Sequence, residues 1–329
     1  MYSLNDISII IPCITVDSLT IKCISVIKDI YKKIDIIILA DFYNGENIND
    51  VNLQITGHVS ISTKRNLGAN LTTKKILAFI DSDAYPKNCW LESSIDGFNR
   101  NMNLSCITGP NISPISSPYW EHCVGIALSS FLVTLNATHL KKPTKNEFYV
   151  NYASSVNLIV LKDLYFKYNG MNPELFGGED LDFCTKIING GEKILYIPTC
   201  AVFHKNRDLY GFLTQRLAYG GFTYEFISRG NKTILNFLPL LPVFFVIFLI
   251  STPFVFLYSN LFYLNIIILS FYFLLIAFET IRLKIKNIYY FPGLICILFL
   301  STIVPGVGFI FKFFNVLPHY SKFYRNSKL

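Results

Sequence analysis

Short apolar runs alternate with segments of helical spacing over the first two hundred residues. Ile7–Pro12 and Ile34–Ala40 are β-branched runs typical of strands buried on both faces, and Leu19–Tyr31 between them has apolar residues at helical spacing. The alternation predicts an α/β fold with a parallel sheet, whose ligands bind at the carboxyl ends of the strands. The same pattern predicts further strands at Val59–Ser62, Ile76–Ile80, Asn157–Leu161, Ile194–Ile197 and Ala201–His204, and helices at Asn66–Lys75, Lys162–Tyr168 and Asp180–Asn189.

The last third of the chain has a different pattern. No charged residue occurs from Ile234 to Phe278, about twice the roughly 20 residues that cross a hydrocarbon core. This length predicts two spans, at about 234–258 and 261–278. The third apolar block, 288–311, forms either a third span or a re-entrant segment that turns near Pro305-Gly306-Val307-Gly308.

The segment before the apolar blocks carries spread aromatic residues, which predicts an amphipathic helix at the membrane interface, with a core helix as the alternative. We therefore expect an α-helical membrane region after the α/β domain. The expected divisions are a catalytic domain at 1–206, an interfacial segment at 207–233, and a transmembrane region with a basic tail at 234–329.

The excess of positive charge lies entirely beside the expected membrane segments. Residues 1–224 hold 20 basic and 20 acidic residues, whereas residues 225–329 hold nine basic and two acidic ones, which is the whole excess of +7. Such residues suit anionic headgroups and the cytosolic side of a membrane, and argue against a nucleic-acid partner. The polar start of the chain predicts no signal peptide. We therefore expect an integral membrane protein with a cytosolic catalytic domain and a cytosolic tail.

The eight cysteines form no Cys-x-x-Cys pair, which indicates reduced thiols.

Acidic and basic side chains follow the predicted strands. Asp81-Ser82-Asp83 ends the run Ile76–Ile80, and Asp41 follows the second strand, so both fall on the same predicted edge. Two carboxylates at such an edge can hold a hard divalent cation that binds phosphates. The segment Ser62–Gly68 adds Lys64 and Arg65 before a predicted helix, where an anion is favoured.

The ordered set of motifs resembles family 2 glycosyltransferases over about residues 6–222. Strand Ile7–Pro12, the Arg65-Asn66-x-Gly68 turn and Phe79-Ile80-Asp81-Ser82-Asp83 are similar to the nucleotide-binding half of that family. Gly170-Met171-Asn172 with Gly178-Glu179-Asp180-Leu181-Asp182, and the run from Ile197 to His204, are similar to the acceptor half. The resemblance implies a GT-A fold, Rossmann-like, and inverting transfer from a nucleoside-diphosphate sugar.

The resemblance also implies roles for particular residues. Asp83 would bind Mg²⁺ or Mn²⁺, His204 would lie near the metal or diphosphate, and Asp180 would be the base that deprotonates the acceptor hydroxyl. The alternatives are a structural histidine, and an N-cap or first-turn acid. Residues implied to bind substrate are Asp41 (the base of the nucleotide), Arg65, Asn66, Asp81, Glu179, Gln215 and Arg216.

Two departures from the family pattern narrow the function. Gln215-Arg216 lacks the Trp of the Gln-x-x-Arg-Trp element, which disfavours processive polymerisation, and Cys13-Ile14-Thr15 replaces the usual base-contacting residues. The leading hypothesis is transfer of one sugar to a lipid-linked or cell-surface glycan. The alternatives are a polyprenyl-phosphate glycosyltransferase, disfavoured by Glu179-Asp180 and His204, and an inactive scaffold subunit.

Overall fold

The chain folds into two compact units. The computed structural model describes residues 1–45, 48–101, 103–114, 116–134, 137, 140–141, 143–175, 177–228, 240–255, 259–285 and 287–316. The first unit comprises Met1–Ile115 and His139–Lys205, and the second comprises Ser116–Thr138 and Asn206–Leu329. The first division expected from the sequence, 1–206, differs from this in two respects, because the segment Ser116–Thr138 and Asn206 group with the second unit.

The first unit is built on an eight-stranded mixed sheet in the order β3-β2-β1-β4-β9-β6-β10-β8. A second sheet has three strands in the order β5-β11-β7. The strands are β1 (Ile7–Cys13), β2 (Asp35–Ala40), β3 (Asn52–Ile55), β4 (Ile76–Ile80), β5 (Ala84–Pro86), β6 (Cys106–Thr108), β7 (Asn111–Ile112), β8 (Phe148–Val150), β9 (Asn157–Leu161), β10 (Ile194–Tyr196) and β11 (Val202–His204).

Helices cover both faces of the large sheet. Every residue of β1 is buried, and successive side chains alternate between two apolar clusters: Ile9 packs in one and Ile10 in the other. This explains why the strand is a continuous apolar run. The helices of this unit are α1 (Ser18–Ile30), α2 (Ile61–Leu71), α3 (Trp90–Arg100), α6 (Lys162–Lys167) and α7 (Glu179–Asn189).

The structure confirms the α/β fold and corrects two details of its first half. The third strand is Asn52–Ile55, and the segment 59–62 predicted as a strand instead contains the N-cap and start of α2. The Ser60 hydroxyl accepts a hydrogen bond from the Thr63 amide at 3.1 Å, so α2 begins at Ile61 and not at Asn66. Arg65 and Asn66 consequently lie inside a helix, where they act through side chains and not through loop amides.

The expectation of a parallel sheet holds for only part of the large sheet. Strands β1 to β4 pair in parallel, but β9 is antiparallel to both β4 and β6. A strand buried on both faces is an apolar run whether it is parallel or antiparallel to its neighbours, so the sequence pattern does not predict the direction of the strand.

The second unit is helical. Within the described residues, two helices are long and apolar enough to cross a membrane, Leu261–Arg282 and Ile288–Phe313, and Leu241–Val255 is a shorter apolar helix. Of the residues expected in the tail, Lys322, Arg325 and Lys328 lie outside the described part of the chain, as do residues 229–239, which include the first six residues of the first expected span. The helices of the unit are α4 (Tyr119–Ala127), α5 (Phe131–Thr134), α8 (Leu209–Ser228), α9 (Leu241–Val255), α10 (Ser259–Arg282) and α11 (Phe291–Phe313).

Candidate active site

Asp81, Asp83 and His204 come together at the carboxyl end of β4. Asp81 follows β4 directly, and the short strand β5 begins one residue after Asp83. Strand β11 pairs with β5 so that His204 lies opposite Ala84. One ligand atom from each of the three side chains lies within 4.8 Å of the others, and His204 Nε2 is 3.3 Å from Asp83 Oδ1. The three side chains are partly exposed, so a ligand can reach them.

The donor set of this cluster fits a divalent cation. Two carboxylates and one imidazole offer oxygen and nitrogen ligands at a separation that a single ion can bridge. Arg65 donates a hydrogen bond to one carboxylate oxygen of Asp81, and the same carboxylate has a second oxygen that can bind a cation. Three protein ligands at an open edge leave coordination positions for phosphate oxygens and water.

Arg65 connects the cluster to the start of α7. Its side chain is 1% exposed, and its Nη2 and Nη1 atoms lie 2.7 Å from Asp81 Oδ1 and 3.0 Å from Glu179 Oε1. Burial disfavours the charged guanidinium, but the negative charges of Asp81 and Glu179 outweigh that effect and raise the pKa of Arg65. The guanidinium therefore stays charged and holds two carboxylates that are 98 residues apart in the chain at a constant separation.

Asp180 lies in the first turn of α7, next to Glu179. Its Oδ2 atom accepts hydrogen bonds from the Tyr152 hydroxyl at 2.9 Å and the Ser155 amide at 3.3 Å, and its Oδ1 atom accepts one from the Leu181 amide at 2.8 Å. Burial raises the pKa of Asp180, and the hydrogen bonds partly oppose it. Burial, followed by the charge of Asp180, also raises the pKa of Glu179. A carboxylate with a raised pKa is a stronger base than an ordinary aspartate.

Asn66 anchors the loop that leads to α7. Its Nδ2 atom donates to the Met171 carbonyl at 2.8 Å, while its Oδ1 atom accepts from the Met171 amide at 3.1 Å and the Tyr165 hydroxyl at 2.5 Å. Gly170 has a φ of +59°, and a Cβ atom there would lie 2.6 Å from Asn66 Oδ1. Only glycine suits this position, which explains the Gly170-Met171 dipeptide in the motif.

Asp41 follows β2 directly and belongs to a separate small ionic group. Its Oδ2 atom lies 3.0 Å from His58 Nδ1, and its Oδ1 atom pairs with the Lys64 ammonium, which also donates to the carbonyl of Cys13. The carboxylate is 9% exposed, so Lys64 neutralises a nearly buried charge. The group joins the ends of β1 and β2 to helix α2.

The remaining predicted site residues lie in the second unit. Gln215 donates to the Tyr219 hydroxyl at 3.0 Å, and Arg216 donates to the Val133 carbonyl at 3.2 Å. Their predicted contact with substrate stays a prediction.

Three residues that the structure places at this site were not predicted from the sequence: Tyr152, His58 and Lys141. Burial lowers the pKa of Lys141 to about 8, although the nearby charge of Asp83 acts in the opposite direction. All three approach their partners from distant parts of the chain. No local motif marks them, and only the fold could have identified them.

Curated proteins with similar sequences are glycosyltransferases. The pre-mycofactocin glycosyltransferase of Mycobacterium tuberculosis (strain CDC 1551 / Oshkosh) is 27% identical over 158 residues, which are 48% of this chain and 33% of the relative. The putative polypeptide N-acetylgalactosaminyltransferase 13 of Drosophila melanogaster is 25% identical over 159 residues, 45% of this chain and 28% of the relative. The chain thus matches about a third of each relative's length. No protein-family model matches the chain.

Two solved structures also align with the chain. GalNAc-T7 with UDP, GalNAc and Mn²⁺ aligns with a TM-score of 0.47 at 15% identity, over 63% of this chain and 45% of that one. S. aureus TarS 1–349 aligns with a TM-score of 0.42 at 13% identity, over 60% of each chain.

The homologues confirm the resemblance to glycosyltransferases stated from the sequence. The mixed α/β sheet, with its acidic residues at the carboxyl edge of the parallel strands, agrees with the GT-A class of fold that the resemblance implies.

Proposed function

We propose, on the premise that the homologues of this chain are glycosyltransferases, that it is an inverting family 2 hexosyltransferase of polysaccharide biosynthesis. It moves one sugar from a nucleoside-diphosphate sugar to a hydroxyl of a lipid-linked or cell-surface glycan. One observation carries the proposal: Arg65 connects a candidate metal cluster to a candidate base. It pairs with Asp81 of the cluster formed by Asp81, Asp83 and His204, and with Glu179, which precedes the candidate base Asp180.

Each end of this arrangement has its own role. Asp41, held by His58 and Lys64, binds the base of the nucleotide, and Asp81, Asp83 and His204 hold Mg²⁺ or Mn²⁺. The bound cation supplies Lewis-acid stabilisation of the leaving diphosphate. Lys141 adds a positive charge near Asp83, where the diphosphate is negative.

Asp180 takes the proton of the attacking hydroxyl. Tyr152, Ser155 and Leu181 fix the orientation of its carboxylate, and burial raises its pKa toward that of a useful base. Arg65 acts as a positioning residue, because it binds Glu179 and Asp81 and therefore couples the orientation of α7 to that of the metal cluster. Asn66 positions the loop before α7 in the same way.

Membrane attachment of the enzyme through its second unit is part of the proposal. Two helices long and apolar enough to cross a bilayer support it, as does the basic charge beside them. We propose that the catalytic unit and the basic tail both face the cytosol.

A panel of nucleotide-sugars, tested with the full-length protein in detergent, checks the activity. We expect one donor to be consumed only with Mg²⁺ or Mn²⁺ present, and chelation to abolish its consumption. Asp83→Asn is expected to lower the rate about 10²-fold, because an electrostatic stabiliser of the leaving group is weakened. The same variant should bind Mn²⁺ more weakly in titration calorimetry.

Asp29→Asn is the matched control for this test, because Asp29 is an exposed acid on α1. It should leave both the rate and Mn²⁺ binding unchanged. Equal Mn²⁺ binding by the parent and by Asp83→Asn would show that the assigned metal cluster is wrong. If the protein consumes no donor under any metal condition, it is instead a scaffold or binding subunit.

The pH dependence of the rate reports on Asp180. The rate should fall as the pH drops through the pKa of Asp180, which burial raises above the ordinary aspartate value. Tyr152→Phe removes a hydrogen bond that stabilises the charged carboxylate, so the pKa rises further and the acidic limb moves to higher pH. Tyr149→Phe, on the exposed strand β8, should leave the profile where it is. Identical profiles for Tyr152→Phe and the parent would exclude Asp180 as the titrating base.

A further inference from the structure

Helices α9 and α10 of the second unit form an antiparallel hairpin. Near its closed end, Thr252 Oγ1 lies 3.3 Å from Asn265 Oδ1, and further along, the rings of Phe245 and Tyr272 are 4.4 Å apart. Seven residues separate the contacts on each helix, so the helices stay in register over this length. The open end of the hairpin therefore contains the start of α9 and the C-terminal half of α10.

Helix α11 crosses this open end. Phe299 stacks on Phe273 of α10 at 5.9 Å, whereas a Cβ atom on Gly306 would lie 2.2 Å from the Pro242 carbonyl oxygen and 2.8 Å from Val246 of α9. From 299 to 306, α11 advances about 10 Å. The axes of packed helices are about 8–10 Å apart. The advance of α11 is therefore about equal to the distance between the axes of α9 and α10. The axis of α11 is therefore nearly perpendicular to the hairpin.

Helix α8 runs beside α11 in the same direction. Phe212, near its start, shares a buried apolar cluster with Leu294, Ile297 and Leu298. A Cβ atom on Gly220 would lie 1.9 Å from the Pro305 carbonyl oxygen, and Glu225, near the end, pairs with Lys312 at 2.8 Å. Helices α8 and α11 advance by roughly the same number of residues between these contacts, so their axes are about parallel. Helix α8 therefore has the same orientation to the hairpin as α11.

The polar residues of α8 exclude a path for α11 through the hydrocarbon core. Arg216 and Gln215 lie on the part of α8 beside the middle of α11, and Arg216 donates to the Val133 carbonyl of α5. If α11 crossed the bilayer, these groups would lie near its centre, where a single arginine costs about 2.5–3.5 kcal/mol or more. Helix α4, which carries Glu121 and His122, also contacts the start of α11 through Tyr119 and Gly293.

The hairpin has the opposite character. The side chains of α10 are exposed and apolar over most of its length, and α9 presents further large apolar side chains to the surroundings. The exposed set includes Phe244, Ile247, Ile250, Phe254, Leu264, Ile267, Phe271, Leu274 and Phe278. About 14 residues of α10 and about nine residues of α9, roughly 20 Å and 14 Å, extend beyond the crossing with α11. A surface of this length and apolarity suits lipid acyl chains.

We infer that the second unit is a membrane platform in which only the α9–α10 hairpin penetrates the lipid core. Helices α8 and α11 lie in the plane of the interface across its base, with apolar sides towards the acyl chains and Arg216, Glu225 and Lys312 at headgroup depth. The partner of this surface is a lipid bilayer. The inference rests on the membrane association proposed above and replaces the third span with an in-plane helix, so the chain enters and leaves the lipid on one side. The basic tail then lies on the side from which the hairpin enters, as the positive-inside tendency favours.

Nitroxide depth measurements on the full-length protein test this arrangement, in vesicles of phosphatidylethanolamine and phosphatidylglycerol. A Cys89→Ser background leaves Cys296 on α11 as a partly exposed thiol, while six other cysteines are buried. The α11 series is Cys296, Ile303→Cys and Ile310→Cys. The matched α10 series is Leu264→Cys, Phe271→Cys and Phe278→Cys, and every introduced cysteine is combined with Cys296→Ala. Both series step by two helical turns on one face, about 10 Å per step. Depth is read from the ratio of oxygen to nickel-chelate collisions.

We expect the three α11 labels to lie at one shallow depth, and the α10 labels to become deeper from Phe278 to Leu264 by about 10 Å per step. A profile in which Ile303 is deepest, with Cys296 and Ile310 about 10 Å shallower, would overturn the in-plane arrangement. Water-like values at all six positions would overturn membrane insertion itself. Donor consumption, measured on the same samples, tests the transferase separately from either result.

Discussion

Asp180→Asn is expected to lower kcat for sugar transfer by about 10²- to 10⁴-fold, with little change in the KM for the donor. Asparagine keeps the shape of the side chain and can still accept the Tyr152 hydrogen bond, but it cannot take a proton. The loss should therefore be in the chemical step and not in folding. Initial rates with varied donor and acceptor concentrations separate the two constants.

Asp182→Asn is the matched control for this variant. Asp182 lies in the same first turn of α7, but its side chain pairs with Lys186 at 2.7 Å, whereas Arg65 pairs with Asp81 and Glu179. Its replacement should change kcat by less than about twofold, as expected for a partly exposed ion pair on a helix. If Asp180→Asn had the same kcat as the parent, the assignment of Asp180 as the base would be wrong. The assignment of the donor-binding residues would not be affected.

Arg65→Met is expected to lower the free energy of unfolding of the first unit by about 3–5 kcal/mol. The substitution keeps an apolar stem of similar length but leaves Asp81 and the buried Glu179 without their shared cation. Glu179 already has a raised pKa because of burial and the charge of Asp180, so loss of Arg65 should raise that pKa further. Urea unfolding followed by the fluorescence of Trp90, which is buried in the first unit, measures the change.

Arg100→Met provides a control with the same geometry at the surface. Arg100 also bridges two carboxylates, Asp96 at 2.8 Å and Glu147 at 2.9 Å, but its side chain is 48% exposed. Its loss should cost only about 0–1 kcal/mol, since water screens the pairs. Equal destabilisation by the two substitutions would contradict a special role for burial at Arg65. Arg65→Lys should recover part of the stability, because it restores the charge but not both hydrogen bonds.

Local patterns were sufficient for most of the first unit. Ile76–Ile80 and Asn157–Leu161 were predicted to the residue, because each is a compact apolar run between polar segments. The pattern was insufficient at β3, where Asn52–Ile55 is mostly exposed at the edge of the sheet. An edge strand has no continuous apolar face, so its sequence does not differ from that of a loop.

The candidate site also has a part that the sequence predicts and a part that it does not. The acids of Asp81-Ser82-Asp83 are neighbours in sequence, so a metal cluster could be proposed from the motif alone. The contacts of Arg65 with Glu179, and of Asp180 with Tyr152, join residues 114 and 28 positions apart. Such contacts depend on how the sheet brings distant helices together, which no local spacing records.

The sequence by itself determined the α/β class, the apolar C-terminal third, the acidic motifs and the uneven charge, because each follows from residue type and periodicity along the chain. Only the tertiary structure decided the direction of β9, the placement of Arg65 between two carboxylates, and the contacts of α11 with both α9 and α10. An apolar segment of 23 residues has the same composition whether it crosses a bilayer or lies in its surface. Its polar neighbours in space distinguish the two, because a charged side chain packed alongside it must remain within reach of water.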